Sequence, residues 1–464
     1  MRIWIVLAAL VSWLGIAAAQ ALPEAQQRAI DKAVEEVLAA TKTPSASIAI
    51  VKGNQVAYAR AYGEARLEPK TPATPEMRYK IGSNSKQFIA TATLLLAEQG
   101  KLSLDEKVSK YLPTLTRANE ITIRQLLSHT AGYEDYYPLD YVTPEMARPK
   151  TPLQILDGWA KKPLNFDPGT RWQYSNTGFI AAGLILEKVA GMPLYQFLKT
   201  RLFEPLGMKT VIDADKEKWS DADPMGYTIF ALGPPRPVAP EGQGWLFSAG
   251  QLAMTPADLA RWNISLMKCT LLKPASLKTL TTEVMLANGS GSGYALGIGV
   301  SNRNGQRRWS HGGGTAGFIS ANFSFPDDGV AVTVLTNLDS PAAPQIGARL
   351  EAIVLAKADD KGDAGALALA KKVFAELQRG ELDRSQLTAD ANAYFTAQAL
   401  ADYSASLKPL GDPSEFRQAG MQLRGGMEHR TFAVRTASRR LSLNVYMTTD
   451  GKIAQFLVSP VAGQ

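Results

Sequence analysis

Two pairs of strand-like segments, far apart in the chain, most constrain how it can fold. Residues 45–62 contain two strand-like runs around a Lys-Gly-Asn turn, and residues 318–337 contain two more around a Pro-Asp-Asp-Gly turn. The long segment between them carries several stretches with helical spacing. The simplest arrangement is one antiparallel sheet built from the early and late strands and flanked by the intervening helices, which is an α/β fold.

A serine and a lysine stand three residues apart where an extended run meets a helix. Ser83 and Lys86 follow Gly82, which allows a tight turn, and they precede a helix with an apolar face. At this spacing both side chains lie on one helix face. An amine whose charged form is disfavoured by burial can take up a hydroxyl proton. We therefore predict Ser83 as a nucleophile and Lys86 as its proton acceptor.

The spacing alone is not specific, because Ser265 and Lys268 repeat it. That second pair falls inside a helix predicted to begin at Pro256, where the serine is expected to be an ordinary helix residue. The context of Ser83, at a strand-to-helix turn with helix-terminal amides around it, separates the two pairs.

A Tyr-Ser-Asn triplet provides groups that suit the same chemistry. Tyr174 and Asn176 lie on a short loop before a predicted helix. Nearby positive charge can lower the pKa of a tyrosine from about 10, so the phenolate of Tyr174 is a candidate general base. The Asn176 amide could hold a substrate carbonyl or the lysine. Ordinary loop hydrogen bonding is the alternative explanation of this triplet.

A histidine followed by three glycines ends a predicted strand at residues 307–310. Glycines let the backbone approach a ligand closely, so amides in this stretch could stabilise an oxyanion while His311, Gly313 and Gly314 border a substrate pocket. A flexible turn with an incidental histidine is the alternative. A lipase-like interpretation of His-Gly-Gly-Gly requires a Gly-x-Ser-x-Gly elbow, and the sequence contains none.

In chain order, Ser-Asn-Ser-Lys at 83–86, Tyr-Ser-Asn at 174–176 and His-Gly-Gly at 311–313 resemble the three motifs of the serine β-lactamase and penicillin-binding-protein superfamily, most closely its class C branch. Residues 126–133 and 244–250 also resemble that family, and the resemblance covers roughly residues 22–355.

The resemblance implies a β-lactamase/transpeptidase-like fold and an acyl-enzyme on Ser83. It implies that Lys86 and Tyr174 move the proton in acylation and deacylation, and that Asn176 binds the amide side chain of the substrate. It further implies an oxyanion hole made by the amides of Ser83 and Gly314, and no metal or organic cofactor.

One departure from the family bears on the substrate. Many of its β-lactamases and carboxypeptidases have Lys-Thr-Gly as the third motif, whose lysine attracts the substrate carboxylate, whereas this chain has His311. The variant with histidine resembles D-aminopeptidases, esterases and peptidases of the family. We therefore expect an acyl hydrolase for peptides, amides or esters of the D-amino-acid or esterase type, with weak action on β-lactams at most.

Two other functions stay open on the sequence. One is a penicillin-recognising sensor that is acylated with little turnover, and the other is a structural envelope protein with relic motifs. His129 is expected to be a structural residue near a helix end, with a Ser-His-Asp triad as the alternative. His429 is expected on the surface.

Composition and the N-terminal segment limit the kinds of bonds, ligands and cellular location expected for the protein. The single cysteine, Cys269, permits no intrachain disulfide and no thiolate metal cluster. The formal charge of +7 comes without a cluster of Lys and Arg, so nucleic acid is not an expected partner, while a small-molecule or peptide substrate is. Residues 1–19 have a positive start, a short apolar run and small residues at the end, which indicates a signal peptide and a secreted or periplasmic protein without a stable membrane span.

The chain of 464 residues, 45% hydrophobic, is long enough for one large core and a second, smaller one. We predict a hydrolase domain at residues 22–355, a charged, Gly-containing linker at 356–365 and a small α+β domain at 366–464. By its layout alone, the small domain resembles those of the nuclear-transport-factor-2-like type. It is expected to stabilise the chain, to mediate self-association or to border the substrate groove.

Overall fold

A computed structural model gives the conformation of most of the chain. The predicted signal peptide, 1–19, lies outside the residues that it describes. The described residues are 22–303, 306–355, 361–424, 427–448 and 450–461.

The described chain divides into two compact units. The first contains the residues up to Val300 together with Trp309–Val354, and the second contains Ser301–Arg308 together with the residues from Leu355 onward. The predicted bounds place Ser301–Arg308 in the first domain, at residues 22–355, whereas the structure groups them with the second unit.

Twelve strands precede the C-terminal region among the described residues. They are β1 (Ser45–Lys52), β2 (Gln55–Leu67), β3 (Lys70–Pro72), β4 (Tyr79–Lys80), β5 (Ile212–Asp213), β6 (Tyr227–Thr228), β7 (Arg236–Pro237), β8 (Leu252–Met254), β9 (Gly299–Arg303), β10 (Gln306–Thr315), β11 (Phe318–Phe325) and β12 (Val330–Thr336).

The central sheet has seven strands in the order β3-β2-β1-β12-β11-β10-β9. The early and late hairpins meet where β1 pairs antiparallel with β12, from Ala46 opposite Thr336 to Val51 opposite Ala331. Every residue of β12 is buried, as expected for a strand covered on both faces. The predicted fold class, an antiparallel sheet flanked by helices, is confirmed.

Ten α-helices lie in the same part of the described chain. They are α1 (Glu24–Thr41), α2 (Lys86–Glu98), α3 (Ile123–Leu127), α4 (Pro152–Trp159), α5 (Asn176–Ala190), α6 (Leu194–Leu198), α7 (Phe247–Gly250), α8 (Pro256–Met267), α9 (Pro274–Thr281) and α10 (Ala342–Val354).

Helices cover both faces of the sheet. Gly347 of α10 lies so close to the Phe323 ring that an added Cβ would come within 2.3 Å of it. On the other face, Asn263 of α8 exchanges two hydrogen bonds with Asn322 (2.7 and 2.8 Å) and donates to Thr333 (3.3 Å). Asn322 and Phe323 are consecutive in β11, so their side chains point to opposite faces.

Two details in this unit differ from the sequence prediction. The histidine-glycine motif does not follow the end of a strand but lies inside β10, because residues 309–315 pair in register with residues 318–324 of β11. The stretch 131–171, whose many Tyr, Pro, Asp and Gly residues favour ordered loops, also contains the helix α4, whose start is fixed by a reciprocal capping box between Thr151 and Gln154.

The second unit contains a four-stranded sheet with helices. Its core includes Phe374, Phe395, Phe432 and Leu443. The elements are α11 (Lys361–Arg379), α12 (Ala389–Tyr394), α13 (Ala397–Leu407), β13 (Glu415–Arg424), β14 (Met427–Arg435), β15 (Arg440–Met447) and β16 (Ile453–Pro460), with the strands in sequence order.

The predicted linker at 356–365 is wrong in its second half. Residues 361–365 form the first turn and more of α11, and residues 356–360 lie outside the described residues. The helix extends this far because Ala364 and Ala366 are strong helix formers and Ala366 is buried in the core of the second unit. Strand β13 was also missed.

No single helix in the described ranges has the length and apolar composition needed to cross a membrane. The helical segments Asn176–Ala190 and Leu194–Phe203 meet those criteria only together, and they are bent by 71° at the break between them.

The buried amide of Asn263 should contribute measurably to stability. Asn263→Ala would leave Asn322 Nδ2 without its acceptor in a buried place, while the Thr333 hydroxyl would still donate to Asn322 Oδ1, so we expect a loss of about 1–3 kcal/mol in the free energy of unfolding. Urea unfolding followed by tryptophan fluorescence measures it. The exposed Asn165→Ala is the control, and equal midpoints for the two variants would contradict this account.

Candidate active site

Ser83 lies on a short 3₁₀ turn, Gly82–Ser85, directly before α2. Three hydrogen bonds fix this turn to its surroundings. The Ile81 amide donates to Leu252 O (3.0 Å), the Ser320 hydroxyl donates to Ile81 O (2.7 Å), and Asn84 Nδ2 donates to Ser320 Oγ (2.8 Å). The turn is thus tied to β8 on one side and to β11 on the other, so the Ser83 side chain has a rigid base.

Strand β10 passes this turn at backbone contact distance. Gly82 has φ +51°, and an added Cβ there would lie 2.7 Å from the amide nitrogen of Gly314. A Cβ at Gly313 would lie 1.9 Å from Ile81 O. Only glycines permit this approach, and it brings the amides of Ser83 and Gly314 to the same cavity wall.

Lys86 is fully buried, and its amine is surrounded by oxygen atoms. Nζ lies 2.9 Å from Ser83 Oγ, 2.7 Å from Asn176 Oδ1 and 2.7 Å from Ala249 O. Burial lowers the pKa of Lys86 to about 7, and the charge of Asp135 opposes this shift. A neutral amine can donate its two hydrogens to Asn176 and Ala249 and accept the proton of Ser83 with its lone pair.

Asp135 orients Asn176 from behind. Its carboxylate accepts the backbone amide of Asn176 (3.0 Å) and the side-chain Nδ2 (3.1 and 3.3 Å). This fixes the amide so that its oxygen faces Lys86. The sequence prediction missed Asp135, since it forms no motif with residues near it in the chain.

Tyr174 donates from Oη to Ser83 Oγ at 2.7 Å. The expectation of a phenolate base at this position is wrong, because burial raises the pKa of Tyr174 above its ordinary value, with the charge of Asp135 adding to the shift. The phenol keeps its proton at neutral pH. It can therefore donate a proton, while the amine of Lys86 is able to accept one.

His129 supports the tyrosine. Its ring lies against the Tyr174 ring, with centroids 4.2 Å apart, and its Nδ1 accepts the Ser175 amide at 3.1 Å. Burial lowers its pKa well below the ordinary value, so the imidazole is neutral. No hydrogen bond within the described ranges joins His129 to Ser83, so the arrangement is not a Ser-His-Asp triad.

His311 lies behind Tyr174, as seen from the cavity, instead of facing the cavity. Its Nε2 accepts from Tyr294 Oη at 2.7 Å, and its Nδ1 is hydrogen-bonded to Gly312 O. Burial lowers the pKa of His311 to about 4, so it carries no positive charge at neutral pH. His311 and Gly313 are absent from the cavity wall, contrary to expectation, because each packs against backbone or tyrosine. Tyr294 is a further residue that the sequence prediction missed.

The nucleophile opens onto a cavity of about 920 Å³ with a largely aromatic and aliphatic wall. Ser83, Tyr174, Asn176 and Gly314 line it, as do residues from the stretch 136–147 and from two further loops. In contrast, Ser265 is buried within α8, and it makes no hydrogen bond to Lys268 among the residues that the structure describes. Nowhere in the described chain do three or more His, Cys, Asp or Glu side chains form a group suited to a metal ion.

The close passage of β10 gives a direct test. In Gly313→Ala the new methyl would overlap Ile81 O, so β10 and the Gly314 amide must shift, and we expect at least a roughly hundredfold loss in the rate at which a fluorophosphonate probe labels Ser83. In the matched Gly312→Ala variant the nearest atom would be 3.7 Å from the new Cβ, and labelling should stay close to wild type. Equal rates for the two variants would contradict the geometry.

Comparison with known proteins agrees with this geometry. Residues 30–357 match the family model described as Beta-lactamase. Protein flp of Staphylococcus aureus (strain N315) is 29% identical over 330 residues, which are 69% of this chain and 65% of that protein. The match therefore spans just under two thirds of the length of that relative.

Solved structures give the same result. A D-stereospecific amidohydrolase from Streptomyces sp. aligns with a TM-score of 0.62 and 26% identity, over 71% of this chain and 99% of that one. The octameric penicillin-binding protein homologue from Pyrococcus abyssi aligns with a TM-score of 0.63 and 20% identity, over 94% and 96% of the two chains, and this likeness concerns the fold alone. Because the family model covers most of the chain, the chain belongs to the Beta-lactamase family, within the β-lactamase and penicillin-binding-protein superfamily.

Proposed function

We propose that the chain is an acyl hydrolase for amides, peptides or esters of the D-amino-acid type, with Ser83 as the nucleophile. The observation that carries this is the contact of Ser83 Oγ with both Lys86 Nζ (2.9 Å) and Tyr174 Oη (2.7 Å) at the floor of the cavity. One side chain is placed to remove a proton and the other to supply one.

Acylation then proceeds in two steps. Ser83 Oγ attacks the substrate carbonyl while the neutral amine of Lys86 takes its proton, and the amides of Ser83 and Gly314 stabilise the resulting oxyanion. As the tetrahedral intermediate collapses, Tyr174 gives its proton to the departing nitrogen or oxygen, and the ammonium of Lys86 returns a proton to the phenolate. The products are a seryl ester and the free amine or alcohol, with Lys86 and Tyr174 restored.

In deacylation, water is the nucleophile and Ser83 is the leaving group. A water molecule takes the place of the leaving group, the neutral amine of Lys86 accepts its proton, and the oxyanion hole again holds the developing charge. Tyr174 then gives its proton to Ser83 Oγ, which leaves as the alcohol, and the ammonium of Lys86 returns a proton to the phenolate. The burial of the proton-transfer groups supports this scheme, since both steps need an uncharged amine.

The D-amino-acid class is supported by two observations. The Streptomyces amidohydrolase, with 26% identity and a TM-score of 0.62, is named as D-stereospecific. His311 is neutral and stands behind the cavity, so it cannot attract the carboxylate that penicillins and carboxypeptidase substrates present. The same argument weighs against the alternative of a penicillin-recognising sensor.

Two further proposals concern the setting of the enzyme. We propose that residues 1–19 direct export, so that the protein acts in the periplasm or outside the cell. We also propose that the second unit mediates self-association, prompted by the octameric state named for the Pyrococcus abyssi homologue. Light scattering of the intact protein after chromatography tests this, and a monomer at all concentrations would contradict it.

The pKa of Lys86 predicts the pH dependence of acylation. With a value of about 7, the amine is neutral above that pH and protonated below it, so the acylation rate should level off above about pH 7 and fall about tenfold per unit well below it. The burst of p-nitrophenol from p-nitrophenyl acetate, corrected with Ser83→Ala, measures this rate. A midpoint near that of an ordinary lysine, or no pH dependence, would be incompatible with a neutral Lys86 base.

The identity of the nucleophile is tested by intact-mass analysis. Incubation with a D-alanyl thioester or nitrocefin should add one acyl group to the wild type and to Ser265→Ala, but none to Ser83→Ala. The time course separates the two functions, because an acyl hydrolase releases acid and loses the adduct, whereas a sensor keeps it. Labelling of Ser83→Ala at the wild-type level would refute the assignment.

A further inference from the structure

One end of the active-site cavity carries negative charge without a compensating basic residue. Asp140 and Asp339 are on the cavity wall, whereas no Lys, Arg or His side chain is. Neither aspartate forms an ion pair with any residue that the structure describes. This imbalance is unusual next to a nucleophile, because a negative cavity repels a substrate carboxylate.

A third carboxylate, Glu241, lies behind the cavity wall near Asp339. Its Oε1 accepts from Tyr137 Oη (3.0 Å) and from the Ala316 amide (2.8 Å), and both of these residues are on the cavity wall. Glu241 is only 9% exposed, and its Oε2 is buried without a hydrogen-bond partner in the described chain. A buried carboxylate oxygen with no donor costs free energy unless a ligand supplies one.

The cavity wall itself has a polar group without a partner. Thr315 is 4% exposed, and its Oγ1 makes no hydrogen bond to a described residue. In the chain it stands between Gly314, the expected oxyanion donor, and Ala316, whose amide donates to Glu241. An unpartnered oxygen thus lies next to both the oxyanion position and the anchor of a carboxylate.

The charges of two of the carboxylates act on the third. Burial raises the pKa of Asp339 to about 6, and the charges of Glu241 and Asp140 add to the shift, although the Gly317 amide donates to Asp339 Oδ1 at 2.8 Å. An ammonium group bound here would offset this repulsion at Asp339.

We propose that this acidic end of the cavity, formed by Asp140, Glu241 and Asp339, binds the free ammonium group of the acyl donor. The inference rests on the proposed function and narrows it to aminoacyl and peptidyl substrates with an unblocked amino terminus. Such a group supplies three N–H donors and one positive charge, which match the unpartnered oxygens and the uncompensated charge.

The anchors of two of the carboxylates lie just beyond the end of β10. Glu241 is anchored at Ala316 and Asp339 at Gly317, two and three residues beyond Gly314. These two residues form the tight turn from β10 into β11, so the amide of Gly317 lies at most roughly 10 Å along the chain from that of Gly314. The acidic end is therefore near enough to the oxyanion position for one substrate to occupy both.

The test compares D-alanyl-D-alanine p-nitroanilide with its N-acetyl form. In the wild type we expect kcat/KM to be at least roughly tenfold higher for the free amine. Glu241→Gln and Asp339→Asn keep an acceptor oxygen for Ala316 or Gly317 and remove the charge, so each should lower this ratio by roughly tenfold, chiefly through KM. Asp157→Asn, a change of an exposed carboxylate on α4, is the control and should keep the wild-type ratio.

A second measurement needs no variant of the acidic end. Phenethylamine and 3-phenylpropionate are compared as inhibitors of p-nitrophenyl acetate hydrolysis by the wild type, and we expect the amine to bind at least roughly tenfold more tightly. Equal or reversed inhibition, a wild-type preference for the acetylated substrate, or unchanged ratios in both charge-removing variants would overturn the inference. Hydrolysis of p-nitrophenyl acetate that depends on Ser83 would then still uphold the proposed function, whereas hydrolysis that persists in Ser83→Ala would refute that function itself.

Discussion

The burial of one amine controls the chemistry of this protein. Lys86 is fully buried, and three oxygen atoms lie within hydrogen-bonding distance of its Nζ. They belong to a hydroxyl, a side-chain amide and a backbone carbonyl, and none is a carboxylate oxygen. Burial disfavours the charged form, and the three oxygens favour a group that still has hydrogens to donate. The balance leaves an amine able to accept the Ser83 proton near neutral pH. In the proposed mechanism, Tyr174 and the glycines of β10 act together with this acceptor.

The groups around Lys86 shift the pKa of its amine, although no described carboxylate forms a direct ion pair with it. Asp135 is hydrogen-bonded to Asn176 and not to Lys86. Its charge therefore acts on Lys86 from a longer distance and reduces the lowering of the Lys86 pKa. His129 and His311 are both held neutral by burial, and they pack around Tyr174 as aromatic supports. Lys86, His129 and His311 thus lie close to Tyr174, and in the proposed mechanism only Lys86 serves as the base. Burial, set by the fold, is what distinguishes their proposed roles.

The sequence was sufficient to predict the sheet and to select Ser83, Lys86, Tyr174 and Asn176, which the fold brings together, since strand patterns and motif order can be recognised in the sequence itself. It was insufficient for the state of Tyr174 and for the position of His311, because pKa and orientation depend on what the fold packs around a side chain. Asp135 was missed for the same reason, as its partner Asn176 lies 41 residues away. The linker prediction was wrong for residues 361–365 because it relied on the charged residues and glycines of that stretch and gave too little weight to its helix-forming alanines.

The central claim, a neutral Lys86 beside Ser83, can be measured without any substrate. NMR of protein labelled with ¹³C at lysine Cε follows each amine through its titration, and the resonance absent from Lys86→Arg identifies Lys86. The account predicts that this signal titrates with a pKa of about 7, well below the other lysines. A Lys86 signal that titrates together with the surface lysines would contradict it, because a permanently charged amine cannot accept the proton of Ser83.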